Sequence, residues 1–301
     1  MATKTSRPRS APAAHVCTEC GWSTLKWVGR CGECQSWGTI IDRAAPKTRT
    51  QAGPVTSPAR PIGQVPVEDA HARPSGVDEL DRVLGGGLVP GAAILLAGEP
   101  GVGKSTLLLE VAAQTARSGQ RVLYLTGEES AAQVRMRADR TNGIHPELYL
   151  AAETDLGAVL GHVEEVRPTL LVIDSVQTIT AADVDGVPGG VTQVKEVSAA
   201  LIKMAKIRDI TLVIIGHVTK DGSIAGPRVL EHLVDVVLHF EGERASRLRM
   251  VRAMKNRFGP VDDVGCFDLS ATGIVAITDP GGLFLDRRDG PTTLGRPGPH
   301  P

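Results

Sequence analysis

Aromatic residues are scarce in this sequence: Phe, Trp and Tyr together make up 3% of its 301 positions. That scarcity argues against extended base-stacking platforms, which need an aromatic face for each base. Net charge is close to nil, at -1, so any nucleic-acid contact must come from local basic patches rather than from the field of the whole molecule. No apolar run approaches the ~20 residues that a membrane span needs. The first ten residues, Met-Ala-Thr-Lys-Thr-Ser-Arg-Pro-Arg-Ser, lack the apolar stretch of a secretory signal. These absences lead us to expect a cytoplasmic protein without membrane contact. In that compartment paired cysteines more often hold metal than form disulfides.

What is present is enough for a core. Hydrophobic residues make up 42% of the chain, sufficient for one large domain or two modest ones. The most informative stretch is Gly98-Glu99-Pro100-Gly101-Val102-Gly103-Lys104-Ser105, the pattern G-x-x-x-x-G-K-S of a phosphate-binding loop. Its glycines let the backbone curl so that N–H groups point at phosphate oxygens. Lys104 adds a point charge for the β- and γ-phosphates, and the Ser105 hydroxyl can ligate Mg²⁺. The apolar run 92–97 before it reads as a buried strand. The run from Thr106 to Ala116 reads as a helix whose N-terminus adds partial positive charge. ATP with Mg²⁺ is the expected ligand.

Further pieces fit the same site. Leu170-Leu-Val-Ile-Asp174 is an apolar strand ending in a carboxylate that would support Mg²⁺ next to Ser105. It follows the loop by about seventy residues, with one intervening strand expected. That strand, 122–126, ends in Gly127-Glu128-Glu129-Ser130. Either glutamate could orient and deprotonate water, or both could simply open a helix, where acidic residues favour the dipole. His217 and Lys220, after strand 211–216, could sense the γ-phosphate and pass its state to loop 219–228. Arg244, Arg247, Arg249 and Arg252 lead into Lys255-Asn256-Arg257-Phe258-Gly259. This basic run reads as a solvated face, as a finger reaching a neighbouring subunit's nucleotide, or as a phosphodiester contact.

Four of the five cysteines form two knuckles, Cys17-x-x-Cys20 and Cys31-x-x-Cys34, ten residues apart. Two such knuckles close a tetrahedral Zn²⁺ site; a redox or disulfide pair is the alternative. Gly21 and Gly32 stand at the knuckle turns. Four protein ligands leave no position for water, so the zinc would be structural and would supply the folding energy of so small a module. Residues 1–43 carry six basic and three acidic side chains, and Zn²⁺ with four thiolates adds about -2. That is a weak DNA-binding patch, and a protein-docking role is equally open. Cys266, alone in a strand-like segment, reads as a small buried hydrophobe.

Composition divides the chain into a disordered tail (1–14), the zinc module (15–43) and a flexible linker (44–70) with five prolines. A nucleotide-binding domain (71–285) and a second disordered tail (286–301) follow. Within the domain, apolar runs at 92–97, 122–126, 170–174, 211–216 and 234–238 alternate with helical patterns at 106–116, 129–140, 155–166 and 192–208. Alternation of this kind predicts an α/β fold with a mostly parallel sheet covered on both faces. From Leu248 to about Phe284 the pattern turns antiparallel and hairpin-like.

From Cys17 to about Phe284 the sequence resembles the bacterial RadA (Sms) family of DNA-repair proteins, which are RecA-type ATPases. The resemblance rests on the cysteine element with Lys26 and Trp27, R-V-L-G-G-G-L-V-P-G at 82–91, the phosphate loop and T-G-E-E-S at 126–130. It continues through L-V-I-D-S-V-Q-T at 171–178, G-H-V-T-K-D-G at 216–222, A-G-P-R-V-L-E-H at 225–232 and K-N-R-F-G at 255–259. It implies a RecA-like P-loop core and a hexameric ring that hydrolyses ATP, acts on single-stranded DNA in a helicase-like way, and promotes branch migration of recombination intermediates with the RecA recombinase. By carry-over, Gly98 to Thr106 and Asp174 bind nucleotide and Mg²⁺, and Glu128 or Glu129 activates water. Lys255 and Arg257 would act on nucleotide or DNA at a subunit interface. The loops 181–195 and 219–228 would face the ring channel, with Gly186, Gly189, Gly190, Gly222 and Gly226 allowing mobility and Lys195, Lys220 and Arg228 offering phosphate contacts. The family continues into a C-terminal domain resembling the Lon protease domain, whereas these 301 residues end in a Pro/Gly-rich stretch. A nucleotide-binding adaptor without motor activity and a clock- or signalling-type P-loop ATPase are the other readings.

Overall fold

The computed structural model describes residues 15–42, 58–65, 71–217, 230–242 and 246–278. They fall into two compact units, one up to Val65 and one from Pro66 onward. In the first, β1 (His15–Cys17) pairs antiparallel with β2 (Ser23–Thr24) and β3 (Ile40–Asp42). Residues 58–65 of the expected linker include a short 3-10 turn, Ile62–Gln64.

The second unit carries a nine-stranded sheet in the order β12-β11-β10-β9-β4-β8-β7-β5-β6. Six strands are parallel: β4 (Ala93–Gly98), β5 (Val122–Thr126), β6 (Leu148–Ala152), β7 (Leu170–Asp174), β8 (Thr211–His217) and β9 (Val236–Glu241). An antiparallel meander of β10 (Leu248–Asn256), β11 (Val264–Ser270) and β12 (Gly273–Ala276) extends it beyond β9. Strands β4, β5 and β7 are buried at every residue. That is why they read as continuous apolar runs rather than as alternating ones. Leu96, Leu107 and Phe240 fill one face of the sheet, and Leu95, Ile173 and Leu201 fill the other. Each such side chain contributes roughly 1.5–3 kcal/mol of burial.

Two helices begin where a side chain accepts an orphan amide. Ser130 makes a reciprocal capping box with Gln133 at the start of α3 (Ala131–Arg140). Asp155 accepts from Ala158 N at 2.9 Å to open α4 (Leu156–Val166). Helix α1 (Asp78–Leu84) ends at Gly85, whose φ of 82° is left-handed. Helices α2 (Lys104–Arg117) and α5 (Val191–Ile207) complete the set. No helix among the described residues is long and apolar enough to cross a membrane.

Several expectations are corrected. Two strands, β5 and β6, separate the phosphate loop from β7, not one; β6 is the partly exposed strand at the sheet edge. Strand 234–238 begins at Val236 and runs to Glu241. The expected loop 181–195 ends at Gly190, because α5 opens at Val191 and includes Lys195. Its first part is pinned: Gln193, 3% exposed, accepts from Ala181 N at 2.9 Å and donates to Ala181 O at 3.1 Å and Val184 O at 2.5 Å. Loop 219–228, with Lys220, Gly222, Gly226 and Arg228, lies outside the described residues.

Candidate nucleotide site and metal centre

The C-terminal ends of β4, β7 and β5 point the same way because these strands are parallel, with β8 lying between β4 and β7. Loops leaving that edge therefore converge, the usual place for a ligand in an open α/β sheet. After β4 the chain passes through residues 99–103 directly into α2, whose first residue is Lys104. Gly101 and Gly103 take left-handed φ values of 79° and 110°. A Cβ on Gly98 would lie 2.2 Å from Phe240 O, so glycine is required there by packing. The Lys104 side chain is buried and donates to Gly98 O at 2.8 Å and Glu99 O at 2.9 Å. Burial pushes its pKa down to about 8, against the opposing pull of the Asp174 and Glu128 carboxylates. The other residues of the loop, Glu99, Pro100 and Val102, complete the turn, and Ser105 and Thr106 lie in the first turn of α2.

The loop is also held from outside. Arg249 on β10, 7% exposed, donates through Nε to Val102 O at 2.8 Å. A sequence reading as part of a basic face misses this, because the contact spans 147 residues. Of its neighbours in that run, Arg252 pairs with Glu241 at 2.6 Å and Arg247 with Asp268, and Arg244 lies outside the described residues.

Thr126 and Asp174 are register partners on β5 and β7. Gly127 N donates to Asp174 O at 2.9 Å, which sets the two strand ends side by side. A Cβ on Gly127 would meet Thr178 Oγ1 at 2.0 Å, so the T-G-E-E-S and D-S-V-Q-T segments interlock only with glycine at that position. The two glutamates then diverge. Glu128 Oε1 accepts from Ser175 Oγ at 2.5 Å, beside Asp174. Glu129 is bound by Arg137 of α3, and its amide donates to Thr126 Oγ1 at 3.0 Å. Asp174 is buried and accepts from Tyr124 OH at 2.6 Å. Burial, then the Asp174 charge and the hydrogen bond to it, hold the Tyr124 phenol well above its usual range, so it donates. A buried lysine, a hydroxyl at Ser105 and two carboxylates around a glycine loop form a donor set that suits a nucleotide triphosphate with Mg²⁺.

Lys255 and Arg257 lie elsewhere. Asn256 pairs with Val236 at the start of β9, and β9 runs parallel to β4. The K-N-R-F-G segment is thus at the end of the sheet opposite the phosphate loop, and the chain does not bring it to its own nucleotide site. Lys255 Nζ donates to Glu231 O and Val234 O, both at 2.7 Å. Arg257 binds Asp235 at 2.9 Å, which also accepts from Ala93 N and Lys206. Gly259 meets Gly85 so closely that a Cβ on it would lie 3.1 Å from the Gly85 Cα. The G-G-G and K-N-R-F-G segments therefore form one joint, invisible in sequence because they lie far apart in the chain.

In the small unit, Cys17, Cys20, Cys31 and Cys34 bring their sulfurs within 4.8 Å of one another. Cys17 and Cys34 are 3.7 Å apart and Cys20 and Cys31 3.6 Å. A tetrahedron with Zn–S bonds of about 2.3 Å has edges of about 3.8 Å, so the four thiols fit Zn²⁺; a disulfide would need about 2.0 Å. The two knuckles repeat each other's backbone. Gly21 N donates to Cys17 O and Gln35 N to Cys31 O, and both residues take left-handed φ, 74° and 64°. Gly32 therefore serves a different purpose from Gly21: a Cβ there would meet the Trp22 ring at 2.8 Å. The Thr39 hydroxyl beside Cys17 lowers that thiol's pKa to about 6, and the Ser36 amide lowers that of Cys34. Against the Trp22 amide, burial and the neighbouring thiols push Cys20 up to about 12, so Cys17 and Cys34 give up their protons to a metal most readily. Cys266 is buried on β11, as expected.

Residues 57–223 match the model of the AAA domain family, and residues 15–42 match that of the rubredoxin metal binding domain. The chain is 57% identical over 90% of its length to DNA repair protein RadA of Mycolicibacterium smegmatis and 55% identical over 94% to that of Mycobacterium tuberculosis. It is 44% identical over 93% of its length to DNA repair protein RadA of Streptococcus pyogenes. It spans 60–63% of the length of these relatives. The solved structure of a KaiC-like protein from Pyrococcus horikoshii superposes with a TM-score of 0.56 over 69% of this chain and 99% of that one, at 19% identity, which speaks for the fold alone.

Proposed function

Because the chain belongs to the AAA domain family and is a relative of the RadA DNA repair proteins, we propose that it is a DNA-dependent ATPase of homologous recombination and repair. Its polymer is single-stranded DNA, and its task is branch migration of recombination intermediates. The observation that carries the reading is the convergence of Lys104, Asp174 and Glu128 at one sheet edge. Lys104 binds the β- and γ-phosphates, and Ser105 and Asp174 hold Mg²⁺, which when bound neutralises phosphate charge. Glu128 accepts a proton from the water that attacks the γ-phosphorus, as the bond to the ADP oxygen breaks. Glu129, held by Arg137, does not meet the water itself. Lys255 and Arg257 act across a subunit boundary, since within one chain they lie at the far end of the sheet. A homo-oligomer, a hexameric ring in this proposal, and contact with the RecA recombinase belong to the same reading.

The test is ATP hydrolysis with and without single-stranded DNA at low and high salt. Stimulation that salt suppresses is the expected result. Nucleotide binding without stimulation would reject DNA coupling and favour an adaptor. Lys104→Ala should lower turnover by about 100-fold or more, the scale of removing one preorganised donor. Unchanged turnover in that variant would reject the site.

A further inference from the structure

Tyr124 has no part in the chemistry above, yet it is the side chain among the described residues that hydrogen-bonds the Asp174 carboxylate. On β5 it stands two residues before Thr126, the register partner of Asp174. Residues two apart share a face of a strand, and an aromatic side chain spans the diagonal to the neighbouring strand. Packing alone does not demand a tyrosine. The ring lies among Leu109, Val134 and Leu150 and borders a largely apolar cavity of about 120 Å³, whose lining also includes Arg135 and His145 and where a phenylalanine ring would be equally at home. The hydroxyl points at Asp174 Oδ2 at 2.6 Å. Among the described residues the carboxylate takes no second hydrogen bond.

We propose that Tyr124 is a positioning residue for the Mg²⁺ site: by holding one oxygen of Asp174, it fixes the carboxylate plane and leaves the other oxygen to the metal. The reason is general. A carboxylate free to rotate must lose that freedom each time the metal binds, whereas one already held does not. Partners that hydrogen-bond a metal-supporting carboxylate typically contribute 10–100-fold to metal affinity. The inference rests on reading the glycine loop as a Mg²⁺–nucleotide site.

The experiment is a Mg²⁺ titration of ADP binding by the full chain and its Tyr124→Phe variant. The half-maximal Mg²⁺ concentration should rise about 10-fold, with ADP affinity in EDTA and turnover at saturating Mg²⁺ close to those of the parent. A purely structural role would lower metal-free binding and turnover together and leave the Mg²⁺ midpoint in place, and that result overturns the proposal. In an Asp174→Asn background Tyr124→Phe should shift the midpoint no further; an equal further shift also overturns it. A measurement on the parent chain covers a variant that does not fold. The sequence holds two tyrosines, so 3-fluorotyrosine labelling yields two ¹⁹F lines, assigned with Tyr149→Phe. The Tyr124 line should move when Mg²⁺ joins the ADP complex, and an unmoved line rejects the idea. A parent chain that binds no ADP at any Mg²⁺ concentration would overturn both this proposal and the nucleotide-site reading. A normal parent titration with an unshifted variant overturns this proposal alone.

Discussion

Between Cys17 and Ile40 the buried apolar cluster consists of Cys17, Cys31 and Ile40, and two of those three are sulfur donors. Between Leu80 and Ile274 buried side chains cover both faces of a nine-stranded sheet, with Tyr124, Phe240 and Phe267 among the largest. The first region cannot offset the entropy of ordering its backbone by burial and depends on four thiolates around one ion. The second has burial to spare and uses its loops for chemistry. The contrast also governs which residues are replaceable. In the small unit the knuckle turns and sulfurs decide the fold. In the large one a polar group such as Arg249 or Asp235 can be buried because the surrounding core supports it.

The largest expected effect breaks this contrast along its seam. Structural Zn²⁺ supplies an apparent folding free energy of about 10–16 kcal/mol in small modules, so a strong chelator, or Cys20→Ser, should unfold residues 15–42. Trp22, Trp27 and Trp37 are the three tryptophans of the chain, so tryptophan emission follows this unit alone, while far-UV circular dichroism follows the sheet. Emission should change on zinc loss with the thermal midpoint of the sheet unmoved. A joint transition would show that the two regions do not fold independently.

A smaller effect separates chemistry from scaffold within the large unit. Glu128→Gln should reduce single-turnover hydrolysis by roughly 100–1000-fold while nucleotide binding persists, as expected for removal of a general base. Glu129→Gln, which loosens Arg137 instead, should cost less than about 10-fold. Equal losses in the two variants would reject the assignment of Glu128 as the base.

The smallest effect concerns how the meander is fastened to the large unit. Glu79 on α1 is held below the usual carboxylate range, first by its hydrogen bond to Arg82 and further by the Cys266 amide on β11. A depressed carboxylate contributes stability that is present above its unfolded value, 4.5, and is lost as pH falls through the lower folded value. Urea unfolding from pH 6 down to pH 3 should therefore show a steeper loss in the parent than in Glu79→Gln. Parallel slopes would show that the contact does not couple to folding.

Legibility followed the range of the interactions. The glycine loop was readable because a strand, a loop and a helix in direct succession form it. The paired cysteines were readable for the same reason. The central strands were readable because burial on both faces leaves an unbroken apolar run. Strand β6, Leu148–Ala152, is also an unbroken apolar run, and it is its parallel pairing with β5 at the sheet edge that identifies it as a strand. Glu128 and Glu129 could not be told apart as neighbours in the chain, because what separates them is a contact to Ser175 on one side and to Arg137 on the other. The left-handed turn at Gln35 was hidden because glycine signals such a turn and glutamine does not.

The sequence by itself determined the phosphate loop, the four-sulfur element and the α/β class, because each depends on residues close together and on a period of burial. Only the tertiary structure decided the rest. It set β8 between β4 and β7, turned Glu128 toward Ser175, lodged Arg249 against the phosphate loop and carried Lys255 and Arg257 to the opposite end of the sheet. The physical reason is common to all four: strand order and direction bring together side chains remote in the chain, and no local pattern encodes which strands become neighbours.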